Sequence, residues 1–97
     1  MIDDRSLAIL TDVIKKHLDT SQYKAFVFGS RTQRTMHRKY ADVDVGVLGP
    51  AKLPVSILMQ IKEDLHNSDI PYLTDVVDFS AVSQDFREKA LSHILPL

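Results

Sequence analysis

The sequence contains no cysteine, which excludes disulfide bonds, thiolate catalysis and cysteine-based zinc sites. Its only glycines are Gly29, Gly46 and Gly49, so no P-loop of the G-x-x-x-x-G-K type is present. No apolar run approaches the roughly 18 residues that cross a membrane. The chain has 12 basic and 13 acidic residues, so its net charge is close to zero. General binding of polyanions is therefore not indicated.

The length of 97 residues suits a single domain, which we expect to span residues 1–97. The N-terminal stretch MIDDRS is acidic and lacks the apolar segment of a signal peptide, which favours a cytoplasmic location without membrane attachment. Aromatic residues make up 7% and offer no stacking platform, so nucleic acid is not an expected partner.

Hydrophobic periodicity predicts the element order αβαβαβα and therefore an α/β fold with flanking helices. The first helix follows a cap at Asp3 or Asp4 and has an apolar stripe that ends at Leu18; the last follows Ser80 or Ser83 and buries residues up to Ile94. The remaining predictions are strands at 24–28, 42–48 and 72–79, a partly helical polar segment at 31–39, and a helix at 54–66 that buries Val55, Leu58, Ile61 and Leu65.

Two aspartates open the second predicted strand. Asp42 and Asp44 are two residues apart, so both side chains leave the same face of the strand, roughly 7 Å apart along it. Such a pair can hold one divalent ion or two neighbouring ions, as in two-metal phosphoryl-transfer sites. An isolated Asp-x-Asp is more often a solvated strand end, so further features are needed to favour the metal site.

Gly29 and Ser30, at the end of the first strand, are one such feature. Glycine allows a backbone to approach a phosphate closely, while the serine hydroxyl and the following amides can donate to its oxygens. The same two residues can equally form an ordinary turn between a strand and a helix. Arg31 follows directly and is the arginine that we favour for substrate binding, although it can also be one of several solvated basic residues.

Asp75, on the third predicted strand, is the second feature. Gly29 ends its strand whereas Asp42 and Asp44 begin theirs, so a shared site requires those two strands to be antiparallel. Asp75 joins them only if the third strand is parallel to the second, and the helix at 54–66 is long enough for that crossover. The expected sheet is therefore mixed and three-stranded. Asp78 lies on the opposite strand face and ranks second, with a capping or solvated role favoured.

Other Asp-x-Asp chemistries fit less well. An EF-hand loop needs a glutamate near the position of Leu53. A phosphatase with a nucleophilic aspartate places it after an apolar strand, whereas HRKYA precedes Asp42. Ser30 has no G-x-S-x-G setting, which argues against a serine hydrolase.

The combination of Gly-Ser, a polar turn, Asp-x-Asp on the next strand and an aspartate on the following strand resembles the DNA polymerase beta-like nucleotidyltransferase superfamily. The small size resembles its minimal nucleotidyltransferases, as does the tail SDIPYLTDVVDFSAVSQDFREKAL. Where the family pattern has Ala, Gly and Ser, this chain has Thr32, Arg34 and Ala41. Arg34 could bind a phosphate or block its approach.

The resemblance implies that Asp42, Asp44 and Asp75 bind two Mg²⁺ ions and act in catalysis, while Gly29 and Ser30 hold the β- and γ-phosphates of ATP. A hydroxyl would attack the α-phosphorus and release pyrophosphate, with Asp75 helping to remove its proton. Phosphoryl transfer requires positioning and charge neutralisation, which carboxylate-held metals supply.

The resemblance also implies a protein partner, since minimal nucleotidyltransferases often pair with a small helical HEPN-type protein as antitoxin and toxin. The first hypothesis is thus an antitoxin that adenylylates a tyrosine of its toxin in a hetero-oligomer. The second is a catalytically inert module of the same fold that neutralises or scaffolds its partner by contact. A third is a nucleotide sensor that binds Mg·ATP without turnover.

Overall fold

The structure is a computed structural model that describes residues 2–29 and 43–97, so the helical segment predicted within 31–39 lies outside the described residues. The described elements are α1 (Asp4–His17), β1 (Lys24–Phe28), β2 (Val43–Leu48), α2 (Val55–His66), β3 (Thr74–Asp78), α3 (Gln84–Leu91) and β4 (Ile94–Pro96). The four strands form one sheet in the order β3-β2-β1-β4. The predicted α/β class is confirmed.

The directions of β1, β2 and β3 are those that a site shared by Gly29, Asp44 and Asp75 requires. β1 is antiparallel to β2, and β2 is parallel to β3. The crossover between β2 and β3 contains α2, which supplies the length that a parallel connection needs. The mixed sheet predicted from the aspartate positions is therefore confirmed.

The number of strands was predicted wrongly. The last helix ends at Leu91, and Ile94–Pro96 forms β4, which pairs antiparallel with β1 as a fourth strand. Proline has no amide hydrogen and clashes within a helix, so Pro96 suits an edge strand better than a continued helix. The backbone amide of Leu97 also donates to the carbonyl of Ala25 at 3.0 Å, which ties the chain end to β1.

Two of the helix starts follow the predicted capping chemistry. Asp3 accepts hydrogen bonds from the amide and the hydroxyl of Ser6, at 3.1 and 2.8 Å. Ser83 accepts from the amide of Phe86 at 3.2 Å. Both caps satisfy amides that would otherwise lack a partner in the first helical turn. Within the described ranges, no helix is long and apolar enough to span a membrane.

One face of the sheet carries the main core. Val43, Val45 and Val47 alternate along β2 and are fully buried there. Helices α1 and α2 cover them with a buried set that includes Leu10, Ile14, Ile61 and Leu65. Val55 was predicted to belong to this stripe, but 73% of it is exposed. It is the first residue of α2, where the helix has only begun to approach the sheet.

The opposite face of the sheet carries a smaller aromatic core. The Phe79 ring packs edge-on against those of Phe26 and Phe28, with centroids 4.9 and 5.0 Å apart. Gly46 lies between Phe26 and Phe79, whose rings leave no room for a β-carbon. Helix α3 covers this face but contains no buried residue, and Phe86 is 43% exposed. The aromatic face is therefore more thinly covered than the valine face.

Candidate active site

Two of the predicted site carboxylates lie opposite each other on neighbouring strands. Asp44 of β2 pairs in register with Asp75 of β3. Both alternate with the buried residues Val45 and Val76, so both belong to the aromatic face of the sheet rather than the valine face. Asp44 is half-buried and Asp75 is exposed. The strand pairing thus brings together two residues that are 31 positions apart in the sequence.

The end of β1 lies directly beside Asp44. Phe28 is the cross-strand partner of Asp44, and Gly29 follows it with a φ angle of +80°. A β-carbon at Gly29 would lie 3.0 Å from Oδ2 of Asp44. Because glycine has no side chain, the backbone can pass this close to the carboxylate. A ligand held by Asp44 would therefore also meet the backbone at Gly29.

Asp75 has contacts of a different kind. Its Oδ1 accepts a hydrogen bond from the amide of Val76 at 3.0 Å and lies 3.6 Å from Nζ of Lys62 on α2. The two side chains of this ion pair are 60% and 44% exposed, respectively. Water therefore screens their attraction, and the pair adds little to the stability of the fold. Within the described ranges, Oδ2 of Asp75 has no hydrogen-bond or ion-pair partner.

Asp78 is held by the backbone around it. Its Oδ2 accepts from the amide of Leu53 at 2.7 Å, and its Oδ1 accepts from the amide of Ser80 at 2.9 Å. It pairs in register with Val47, so it lies on the valine face and not on the face of Asp44 and Asp75. These bonds fasten the segment before α2 to the turn that follows β3. This arrangement agrees with the structural role that the sequence favoured for Asp78.

The remaining predicted site residues, Ser30, Arg31 and Asp42, lie outside the described residues. In residues 2–29 and 43–97, no three carboxylate, imidazole or thiolate side chains are grouped so that they could hold a metal ion. Asp44 and Asp75 are the two predicted ligands within those ranges. Carboxylate oxygens are ligands that Mg²⁺ prefers, and the Gly29 backbone approaches the Asp44 carboxylate closely enough for one ligand to meet both.

Sequence reasoning missed Lys62. The periodicity of α2 places Ile61 and Leu65 in the core and leaves Lys62 off the buried stripe, where a lysine normally indicates only a solvated face. The available signal was the crossover itself, because α2 returns the chain to the start of β3. A long side chain in the last two turns of α2 can therefore reach the beginning of that strand.

Comparison with known proteins decides the family. The family model described as "Polymerase beta, Nucleotidyltransferase" matches residues 10–95. The chain belongs to this family. The resemblance seen in the sequence is thereby confirmed, and with it the assignment to the nucleotidyltransferases. A curated relative from Haemophilus influenzae, "Probable protein adenylyltransferase MntA", is 30% identical over 87 residues, which are 90% of this chain and 74% of the relative.

Solved structures show the same fold. A toxin–antitoxin structure with AMP-PNP has a TM-score of 0.74 and 19% identity, over 98% of this chain and 72% of that one. A complex of the tri-AMPylated HEPN toxin and MNT antitoxin of Shewanella oneidensis has a TM-score of 0.73 and 15% identity, over 98% and 71%. At these identities the likeness supports the architecture, and the site must be argued from this chain's own residues.

Proposed function

We propose that this nucleotidyltransferase transfers AMP from Mg·ATP to a hydroxyl of a partner protein, with Asp42, Asp44 and Asp75 as its catalytic carboxylates. The observation that carries the proposal is the in-register pairing of Asp44 with Asp75 on one sheet face, with the backbone of Gly29 close to the Asp44 carboxylate. Two carboxylates at this spacing repel each other unless a cation lies between them. Their juxtaposition favours a cation-binding role over a purely structural one.

In this proposal, Asp42, Asp44 and Asp75 would hold Mg²⁺, and the ion would supply positive charge that neutralises the triphosphate and the leaving pyrophosphate. The acceptor oxygen forms a bond to the α-phosphorus as the bond from that phosphorus to the β-bridging oxygen breaks. Asp75 accepts the proton of the attacking hydroxyl, since it is exposed and its Oδ2 has no other partner within the described ranges.

Binding of the β- and γ-phosphates is assigned to Gly29, Ser30 and Arg31. The backbone at Gly29 is close enough to Asp44 for one ligand to meet both. The hydroxyl and amide of Ser30 and the guanidinium of Arg31 supply donors that suit phosphate oxygens. ATP is the proposed substrate because the curated relative is described as an adenylyltransferase and one similar structure contains AMP-PNP.

The proposed acceptor is a small helical HEPN-type toxin, with the chain acting as its antitoxin. Support comes from the Shewanella oneidensis complex, in which a HEPN toxin is described as tri-AMPylated and bound to an MNT antitoxin. A hetero-oligomer of this kind would bring the acceptor hydroxyl to the site on a second chain. The cytoplasmic location stays a prediction.

An inert binding module of the same fold is the second candidate. Arg34 in place of the family's glycine favours it, because a bulky cation could block the approach of the triphosphate. Such a module would neutralise its toxin through contact alone, without changing the toxin's mass.

The decisive experiment isolates the tagged chain with its partner from the native host, adds Mg²⁺ and ATP, and records intact masses. We expect the wild-type protein to add one or more AMP groups to the partner. Asp44→Asn should add none, because the amide removes a negative charge with little change in size. A partner that stays bound at unchanged mass with both proteins would support the inert module instead.

A further inference from the structure

Lys62 is the cation that the structure places beside a predicted site carboxylate. Four ion pairs occur among residues 2–29 and 43–97, and the other three join Arg5 to Asp69 and Lys16 and His17 to Asp64. Among these four pairs, the one of Lys62 joins a residue of the candidate site, Asp75. The position of this lysine calls for an explanation beyond the solubility of α2.

Lys62 reaches Asp75 from the helix rather than from the sheet face that carries the site. Helix α2 packs on the valine face through Ile61 and Leu65, whereas Asp75 belongs to the aromatic face. The contact is possible because β3 is an edge strand, so the lysine side chain can extend past its open side. The ammonium group therefore approaches Oδ1 of Asp75 from outside the sheet.

We propose that Lys62 is a positioning residue that serves as the counter-ion of Asp75 in the metal-free protein and competes with the divalent metal for this carboxylate. The inference rests on the proposed function, since it requires Asp75 to be a metal ligand. In the metal-free state, the lysine charge offsets the repulsion between the neighbouring carboxylates Asp44 and Asp75.

Two physical effects make removal of Lys62 strengthen metal binding. The ammonium group lies 3.6 Å from Oδ1, so a metal that uses this oxygen must first displace it. A fixed positive charge at this distance also repels a divalent cation. Because the pair is exposed and screened, displacement is easy, and we expect an effect of about two- to fivefold on metal affinity.

The test measures how much metal the protein needs, independently of turnover. Purified full-length wild-type, Lys62→Met, Lys62→Arg and Lys16→Met proteins are each given a fixed concentration of AMP-PNP and titrated with Mg²⁺, and the melting temperature is recorded. Metal and nucleotide that bind the folded state raise that temperature. The readout is the apparent Kd for Mg²⁺ of each variant, fitted to a stabilisation that grows as RT ln(1 + [Mg²⁺]/Kd) from that variant's own metal-free stability.

We expect Lys62→Met to give an apparent Kd for Mg²⁺ about two- to fivefold lower than that of the wild type. Lys62→Arg keeps the positive charge and should behave like the wild type. Lys16→Met is the matched control, since it removes the same charge from a pair with Asp64. An equal or higher Mg²⁺ requirement in Lys62→Met would overturn the inference, because it would show that the lysine is neutral or preorganises Asp75 for the metal.

The same titration separates this inference from the proposed function. A wild-type protein whose melting temperature does not respond to Mg²⁺ with AMP-PNP would contradict the proposed function, and the role of Lys62 would fall with it. A response that is identical in wild type and Lys62→Met would leave the proposed function standing and would remove the counter-ion role alone.

Discussion

Strand β3 carries an aspartate near each end, and the two ends differ in what surrounds the carboxylate. Asp78 accepts hydrogen bonds from two backbone amides, those of Leu53 and Ser80. Among residues 2–29 and 43–97, Asp75 accepts one from the amide of the next residue and forms an ion pair with the exposed Lys62. The two residues also belong to opposite faces of the sheet, because they are three positions apart.

The comparison separates carboxylates that hold the fold from a carboxylate that is available to a ligand. Backbone amides are fixed in place, so a carboxylate that accepts from several of them joins distant parts of the chain. Asp78 does this between the segment before α2 and the turn after β3. A lysine side chain can move away when a metal or substrate arrives. The environment, rather than the residue type, therefore supports the proposal that Asp75 belongs to the site, whereas Asp78 holds the scaffold together.

The largest expected difference between Asp75 and Asp78 is in the rate of AMP transfer. Asp75→Asn should reduce AMP transfer at least about 100-fold, the size typical for the loss of one group that stabilises the transition state. Asp78→Asn should leave transfer within a few-fold of wild type, because its carboxylate lies on the other face. Initial rates of AMP transfer to the purified partner, corrected for the folded fraction, provide the measurement.

The matched substitution at the other end of the strand is the control for this experiment, since both change Asp to Asn on β3. Equal losses of AMP transfer in the two variants would contradict this comparison and show that Asp75 was wrongly assigned as the third catalytic carboxylate. An unaffected Asp75→Asn protein together with an inactive Asp78→Asn protein would reverse the assignment.

Much of the sheet could be predicted because the candidate site constrains it. Gly29 ends one strand and Asp44 begins the next, so a shared site fixed those strands as antiparallel, and Asp75 fixed the third as parallel. The caps could be narrowed to Asp3 or Asp4 and to Ser80 or Ser83 because side-chain capping follows local chemistry, and the structure shows Asp3 and Ser83 in that role. These predictions depend on short sequence distances or on one explicit geometric condition.

The missed features depend on contacts that are distant in the sequence. The apolar segment around Ile94 and Pro96 is too short to show a strand period, and only its pairing with β1 makes it β4. The ion pair between Lys62 and Asp75 requires the packing angle of α2 and the position of β3 at the sheet edge. Neither quantity can be read from the periodicity of one helix or one strand.

For stability, the substitution at Asp78 should have a larger effect than the substitution at Asp75, which is the reverse of the order expected for catalysis. Asp78→Ala should lower the free energy of unfolding by about 2 kcal/mol, because it leaves the amides of Leu53 and Ser80 without their charged acceptor. Asp75→Ala should change it by no more than about 0.5 kcal/mol, since its ion pair is exposed. Urea unfolding of both variants without metal or nucleotide tests this. A loss in Asp75→Ala as large as that in Asp78→Ala would contradict the division of roles.

A smaller effect on stability is expected at Asp3, the carboxylate that caps α1. Asp3→Ala should lower the free energy of unfolding by about 1 kcal/mol near neutral pH, because the amide and hydroxyl of Ser6 lose their acceptor. Asp4→Ala is the matched control, since Asp4 is also exposed but lies one residue inside the helix.

The pH dependence of this cap gives a further test. Hydrogen bonds from the hydroxyl and amide of Ser6 lower the pKa of Asp3 in the folded protein. A lowered folded pKa means that the stabilisation is fully present above the unfolded pKa of about 3.9 and is lost as the pH falls through the folded value. The difference between wild type and Asp3→Ala should therefore be constant from about pH 5 upward and shrink below about pH 4. A difference that stays constant down to pH 2 would show that the capping carboxylate contributes nothing through its charge.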